Sequence, residues 1–321
     1  MFRLGLLAIL LTIVAGRHQP PDPTFGIRGG SSSLPRSPPS YFSPWSPPKL
    51  QPWSGSASTT QSTPTRDAED VSTKEIIDSF LTRDSRTTFI ARVYAILGVQ
   101  LIVTALSCAI FGTHPFLSSL PARIASGEYQ GTFALIPLFG VLISSVSWFR
   151  VSLSPNARHR SPNKWWWLGI FTLGESLSVG FLTTFFKFQS VILSMVATAI
   201  ATISISAFTI LQKNPKYDLS QWGNTLSSWA LILLMYLVVV WFQQIGIIPI
   251  EVLPFSNILY SFVTSCLFSA FLAYHTKLIV GGKHAKYRMN EKDYVLGAMA
   301  LYDDIVNLFL NILQILGEEK D

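Results

Sequence analysis

The sequence is poor in charge. Of its 321 residues only 13% are Asp, Glu, Lys or Arg, while 49% are hydrophobic. A soluble fold of this size carries roughly twice that share of charge. Only two cysteines occur, Cys108 and Cys266, both inside apolar runs, so no disulfide framework is indicated. No Asn-x-Ser/Thr sequon is present, and no His/Cys spacing suits a zinc or other metal cluster. Gly281-Gly282-Lys283 has only a fragment of a phosphate-loop pattern. Gly174-Glu175-Ser176-Leu177-Ser178 does not supply the Gly-x-Ser-Gly setting of an intramembrane serine protease. These absences leave no enzyme chemistry in view and no cofactor.

What the chain does have is long apolar runs. Seven segments can cross a ~30 Å hydrocarbon layer: 91–112, 131–149, 165–186, 188–211, 226–247, 255–276 and 295–316. The expected class is therefore an all-α membrane protein with seven transmembrane helices in contact with the lipid bilayer. The net charge of +6 does not point to nucleic acid, because the basic residues sit in short loops beside apolar spans. Arg83, Arg86 and Arg92 flank the first span; Arg150, Arg158, Arg160 and Lys164 follow the second; Lys213 and Lys216 follow the fourth; Lys277, Lys283, Lys286, Arg288 and Lys292 follow the sixth. The intervening loops carry only Arg123 and Lys187. The positive-inside rule then places the N-terminal flank of the first span in the cytosol and the C-terminus opposite.

Three regions are expected along the chain. Residues 1–17 are an apolar N-terminal segment, signal-like or transit-like. Residues 18–73 form a Pro/Ser-rich tail whose composition cannot bury enough apolar surface to fold. Residues 74–321 form the seven-helix domain, with the polar stretch 67–90 read as a short interfacial helix.

Ionisable groups inside the spans are candidate functional residues, since a charge at mid-bilayer costs at least ~2.5–3.5 kcal/mol. Glu175 lies among Gly174, Ser176, Ser178 and Gly180, small residues that let helices approach and let Glu175 face the protein. Span seven carries Asp303, Asp304 and Asn307. Asp304 and Asn307 share a helix face; Asp303 is rotated by roughly 100°, and the two adjacent carboxylates repel. His275, near the end of span six, titrates near physiological pH and is a partner candidate for Asp304.

Seven segments stand out in order: Phe89-Ile90-Ala91-Arg92-Val93-Tyr94 with Gln100-Leu101, Phe171-Thr172 with Glu175 and Gly180, Lys216-Tyr217-Asp218-Leu219, Tyr274-His275-Thr276-Lys277, Gly281-Gly282-Lys283-His284, Asp293-Tyr294-Val295 and Leu301-Tyr302-Asp303-Asp304-Ile305-Val306-Asn307-Leu308-Phe309. Together they resemble the Bax-inhibitor family, the transmembrane Bax-inhibitor-motif group that includes the lifeguard-like proteins. The resemblance covers roughly 80–320 and implies a seven-helix fold whose last helix is central in the bundle. It implies a cytoprotective, anti-apoptotic protein of endomembranes (endoplasmic reticulum, Golgi or vacuole) or of the mitochondrial inner membrane. Bacterial relatives are pH-sensitive calcium leak channels gated by two hydrogen-bonded aspartates. The second of these maps onto Asp304. The first maps onto His275, where the family usually has aspartate. The resemblance thus implies His275, Asp304 and Asp303 as gating groups, Glu175 and Asn307 as polar interior residues, and Asp304, Asp303 and Glu175 along a calcium path, with calcium as permeating ion. The rival expectation is a non-conducting protein that modulates cell-death or stress-signalling partners.

Overall fold

A computed structural model describes residues 66–125, 135–212, 218–244, 256–281 and 287–320. The segment 1–17, most of the expected tail, and the loop residues Lys213, Lys216, Tyr217, Gly282, Lys283, His284 and Lys286 lie outside the described residues. One compact unit contains Leu81–Asp321; a second unit, Gln19–Phe80, is described only over 66–80, which is helical.

The described residues are almost entirely helical, with a single isolated β-bridge between Phe186 and Glu319. Seven long helices follow in order: α1 (Arg66–Thr113), α2 (Leu135–Leu153), α3 (Asn163–Thr183), α4 (Phe188–Leu211), α5 (Gly223–Gln244), α6 (Ser256–Val280) and α7 (Tyr294–Leu316). The interfacial helix expected over 67–90 is continuous with α1 rather than separate from it. The reason is local: no glycine or proline interrupts the chain from Arg66 to Leu97, so nothing stops helix propagation. Span three ends earlier than expected, at Thr183, where Thr184 and Phe185 form a turn and Phe186 bridges to Glu319. Span six runs on to Val280 and stops at Gly281. That residue adopts φ 69°, a left-handed conformation that glycine reaches without a Cβ penalty, and its N–H closes on the Lys277 carbonyl at 2.9 Å.

Six of these helices are long and apolar enough to cross a membrane: those containing Asp84–Thr113, Ile136–Leu153, Phe188–Leu211, Gly223–Val240, Ile258–Val280 and Glu291–Leu316. The protein is a multi-pass membrane protein. The remaining long helix, α3, has 21 residues, but Lys164, Glu175 and its serines and glycines make it less apolar. It is also heavily buried, with twelve core positions from Leu168 to Thr183.

Contact register gives the direction of each helix. Gln100 meets Thr172 and Thr104 meets Ser176, so α1 and α3 run parallel at a constant offset of 72 residues. Arg92 meets Tyr294 and Thr104 meets Tyr302, so α7 runs the same way. Between α2 and α3 the pairs are Pro137 with Ser178, Ser144 with Glu175 and Ser147 with Trp167, a descending register that makes them antiparallel. His275 meets Asp304 while Ile279 lies at Gly297, so α6 opposes α7. The start of α4 meets the chain just after α7, and Lys277 of α6 reaches the Gln212 carbonyl just after α4, so α4 parallels α6. Gly223 abuts Tyr274 and Tyr236 stacks on Tyr260, so α5 opposes α6. Successive helices therefore alternate in direction throughout.

Burial is uneven. In α7 83% of the apolar window is buried, against 17–44% in the other five apolar helices. Large apolar side chains such as Val99, Ile102, Leu142, Ile200, Ile203, Ile232 and Phe262 stay exposed on the outer faces. That distribution suits a bundle solvated by hydrocarbon.

Candidate functional site

The ends of α2, α4 and α6 gather with the starts of α3, α5 and α7 at one face. Arg158 and His159, in the short helix Pro155–His159, hold Asp293 at 3.0 and 2.6 Å. Arg86 of α1 donates to the carbonyls of Leu278 and Met289 at 2.8 and 2.7 Å, joining the end of α6 to the approach to α7. These ties fix α6 against α7. They position the pair that lies deeper in the bundle.

That pair is His275 with Asp304. Nδ1 of His275 lies 2.6 Å from Oδ2 of Asp304. Asp304 is the eleventh residue of α7, so it sits roughly 15 Å along the helix from Tyr294 and is 4% exposed. The imidazole packs near the rings of Phe271 and Tyr274, with centroids at 5.9 and 5.1 Å. An ion pair formed here has little water to screen it, so its strength depends steeply on whether imidazolium and carboxylate coexist.

The other expected site residues lie nearby but not in the pair. Asp303 is half-buried, on the flank of α7, within electrostatic reach of His275. Asn307 is buried and donates back to the Asp303 carbonyl at 2.7 Å, and Asn311 repeats this to the Asn307 carbonyl at 2.7 Å. Glu175 is 3% exposed and accepts a hydrogen bond from Ser144 of α2 at 2.7 Å. Asp303, Asp304 and Glu175 do not converge: among the described residues no group of three or more His, Cys, Asp or Glu side chains could hold a metal ion.

A second polar cluster, not singled out from the sequence, covers the opposite side of α7. Tyr302 is fully buried, and its hydroxyl meets Thr104 at 2.6 Å. The Thr104 hydroxyl also meets Ser176 at 3.0 Å and the Gln100 carbonyl at 3.0 Å, while Gln100 donates to Thr172 at 3.0 Å. Phe171 packs edge-on to the Tyr302 ring at 5.5 Å. The stripe Gln100, Thr104 and Ser107 on α1, at spacings of four and three, is the sequence signal that marks this face. Beyond the stripe, an apolar cavity of about 410 Å³ lies between α1, α4 and α7 against Ile305, Val306 and Phe309.

The family described as inhibitor of apoptosis-promoting Bax1 matches residues 86–321, which take in all seven long helices except the first part of α1. The chain belongs to the Bax-inhibitor family. Human protein lifeguard 3 is 27% identical over 243 residues, 74% of this chain and 71% of that protein. Bax inhibitor 1 of Schizosaccharomyces pombe is 28% identical over 234 residues, 72% of this chain and 77% of that protein. Mouse protein lifeguard 4 is 27% identical over 237 residues, 72% of this chain and 85% of that protein. In this member of the Bax-inhibitor family, the buried carboxylate of α7 is paired with a histidine.

Proposed function

We propose that this protein is a cytoprotective, anti-apoptotic regulator of organelle calcium that acts as a pH-sensitive calcium leak, with His275 and Asp304 as its gate. The observation that carries the reading is the 2.6 Å contact between the half-buried His275 and the buried Asp304, bridging α6 to α7. Support for the cytoprotective part comes from membership of a family described as an inhibitor of apoptosis-promoting Bax1. The alternation of helix directions supports seven crossings, with α3 among them, and the burial of α7 supports its central place. The basic residues on the α2–α3 and α6–α7 side support a cytosolic face there. The proposed address is an endomembrane, with the mitochondrial inner membrane as the alternative.

The gate follows from charge. Attraction needs a protonated imidazole beside an ionised carboxylate, and Asp303 adds negative charge on the same flank. As pH rises the imidazole loses its proton and the attraction weakens to that of a hydrogen bond. The pair then loosens, α6 and α7 separate locally, and the apolar walls that close the path part. Asp304, Asp303 and Glu175 lie along that path as transient, not resident, calcium contacts.

Calcium efflux from proteoliposomes between pH 5 and 8 tests the reading. Flux rises with pH in the wild type, and His275→Ala or Asp304→Ala flattens the profile. An absence of flux at every pH favours the interaction-protein reading instead.

A further inference from the structure

A groove of about 520 Å³ runs between α1 and α3, lined by Ile96, Val99 and Val103 on one side and by Trp165, Gly169 and Leu173 on the other. Gly169 faces open space in it, since a Cβ there would meet nothing within 4 Å. Because α1 and α3 run parallel in register, residues one turn above the groove on both helices lie at the same level. They are Arg92 and Lys164. Both converge on Tyr294, the first residue of α7: the Arg92 guanidinium is 5.8 Å from the ring centroid, and Lys164 Nζ is 2.6 Å from the hydroxyl. Trp165 packs beside the same ring at 6.4 Å and is half-exposed. Among the described residues no carboxylate pairs with Arg92 or Lys164; the adjacent Asp293 is occupied by Arg158 and His159.

Two cations at the mouth, an aromatic belt residue beside them and an apolar trough below match one amphiphile in charge and in polarity. We propose that this is a binding site for an anionic phospholipid, with the phosphate between Arg92 and Lys164 and one acyl chain in the α1–α3 groove. The site grips α1, α3 and the start of α7 together, so its occupancy steadies the helix that carries Asp304. It does not depend on the gate reading.

Full-length protein in detergent, titrated with dioleoyl phosphatidylserine or dioleoyl phosphatidylcholine and read by native mass spectrometry, tests this. Phosphatidylserine is retained and phosphatidylcholine is not. Replacing both cations (Arg92→Gln with Lys164→Gln) weakens retention by roughly 30-fold, a several-fold factor for each basic group near an anionic headgroup. Gly169→Leu, which fills the trough without touching the cations, weakens it as well. Arg92→Lys and the distant Arg160→Gln retain the lipid. Glycerophosphoserine, which has the headgroup without chains, does not displace it. Equal retention of both lipids, wild-type retention in the double variant and Gly169→Leu, or full displacement by glycerophosphoserine overturns the proposal.

Discussion

Replacing Gly174 with alanine probes a close approach between α2 and α3. A Cβ built on Gly174 comes within 2.7 Å of the Gly140 carbonyl oxygen and 3.2 Å of both the backbone nitrogen and the Cβ of Ser144, all on α2. Ordinary contact begins near 3.4 Å. The obstacle is mostly backbone, which cannot swing aside, so α2 and α3 must separate by roughly 0.7 Å at this point. The neighbouring bond from Ser144 to Glu175, now 2.7 Å, stretches with them. Overpacking of this kind costs about 1–3 kcal/mol, and weakening the hydrogen bond to a buried carboxyl adds to it. Alanine recovers up to ~1 kcal/mol through its better helix propensity, so the expected net loss is about 1–2 kcal/mol. Gly169 on the same helix is the control: its Cβ meets nothing, so Gly169→Ala gains the propensity and loses no contact. Thermal unfolding of the two purified variants in one detergent separates the effects. Gly174→Ala lowers the midpoint and Gly169→Ala leaves it unchanged or raises it. Equal midpoints would refute the reasoning that small residues around Glu175 serve close helix packing.

Other expectations follow from the two ends of the bundle. Arg86→Ala removes two charge-assisted bonds to the carbonyls of Leu278 and Met289; the expected loss is about 2 kcal/mol, read as earlier thermal unfolding and faster amide exchange after Val280. At the opposite end, the backbone N–H of Lys187 donates to the Glu318 carbonyl at 2.8 Å, and the side chains of Lys187 and Glu318 pair at 2.6 Å. Lys187 holds the Glu318 carboxyl below its ordinary range. A depressed carboxyl stabilises the docked tail above its unfolded range, and that contribution is lost as pH falls through its folded value. Protease access to the C-terminus therefore rises in acid, and Lys187→Gln abolishes that dependence.

Much of the bundle was legible in the sequence because apolar runs near twenty residues have few alternatives in a membrane. All of α4 and nearly all of α7 fall where hydropathy placed them. Helix ends set by tertiary contacts were less legible: Thr183 ends α3 because Phe186 must reach Glu319, and no local signal announces that. The polar extension of α1 was missed as a continuous helix because its hydropathy changes at Phe89 while its helix propensity does not. At the site, Asp304 and His275 stood out as ionisable groups in apolar surroundings, and the structure brings them together. Tyr302, Thr104 and Ser144 did not stand out, because hydroxyl residues are common in membrane helices and gain meaning only when α1, α2, α3 and α7 meet. The carboxylates Glu175 and Asp304 occupy separate polar clusters, a separation that spacing along the chain cannot show.

The His275–Asp304 pair is the centre of the account, and calcium flux through liposomes reconstituted with wild type and His275→Asp tests it most directly. A histidine–carboxylate pair releases when the imidazole loses its proton, whereas two carboxylates release when their shared proton is lost. The substitution therefore keeps a pH-dependent leak but moves its midpoint, and Asp304→Asn removes the dependence in either background. An identical pH profile in all four proteins would contradict the pair as gate.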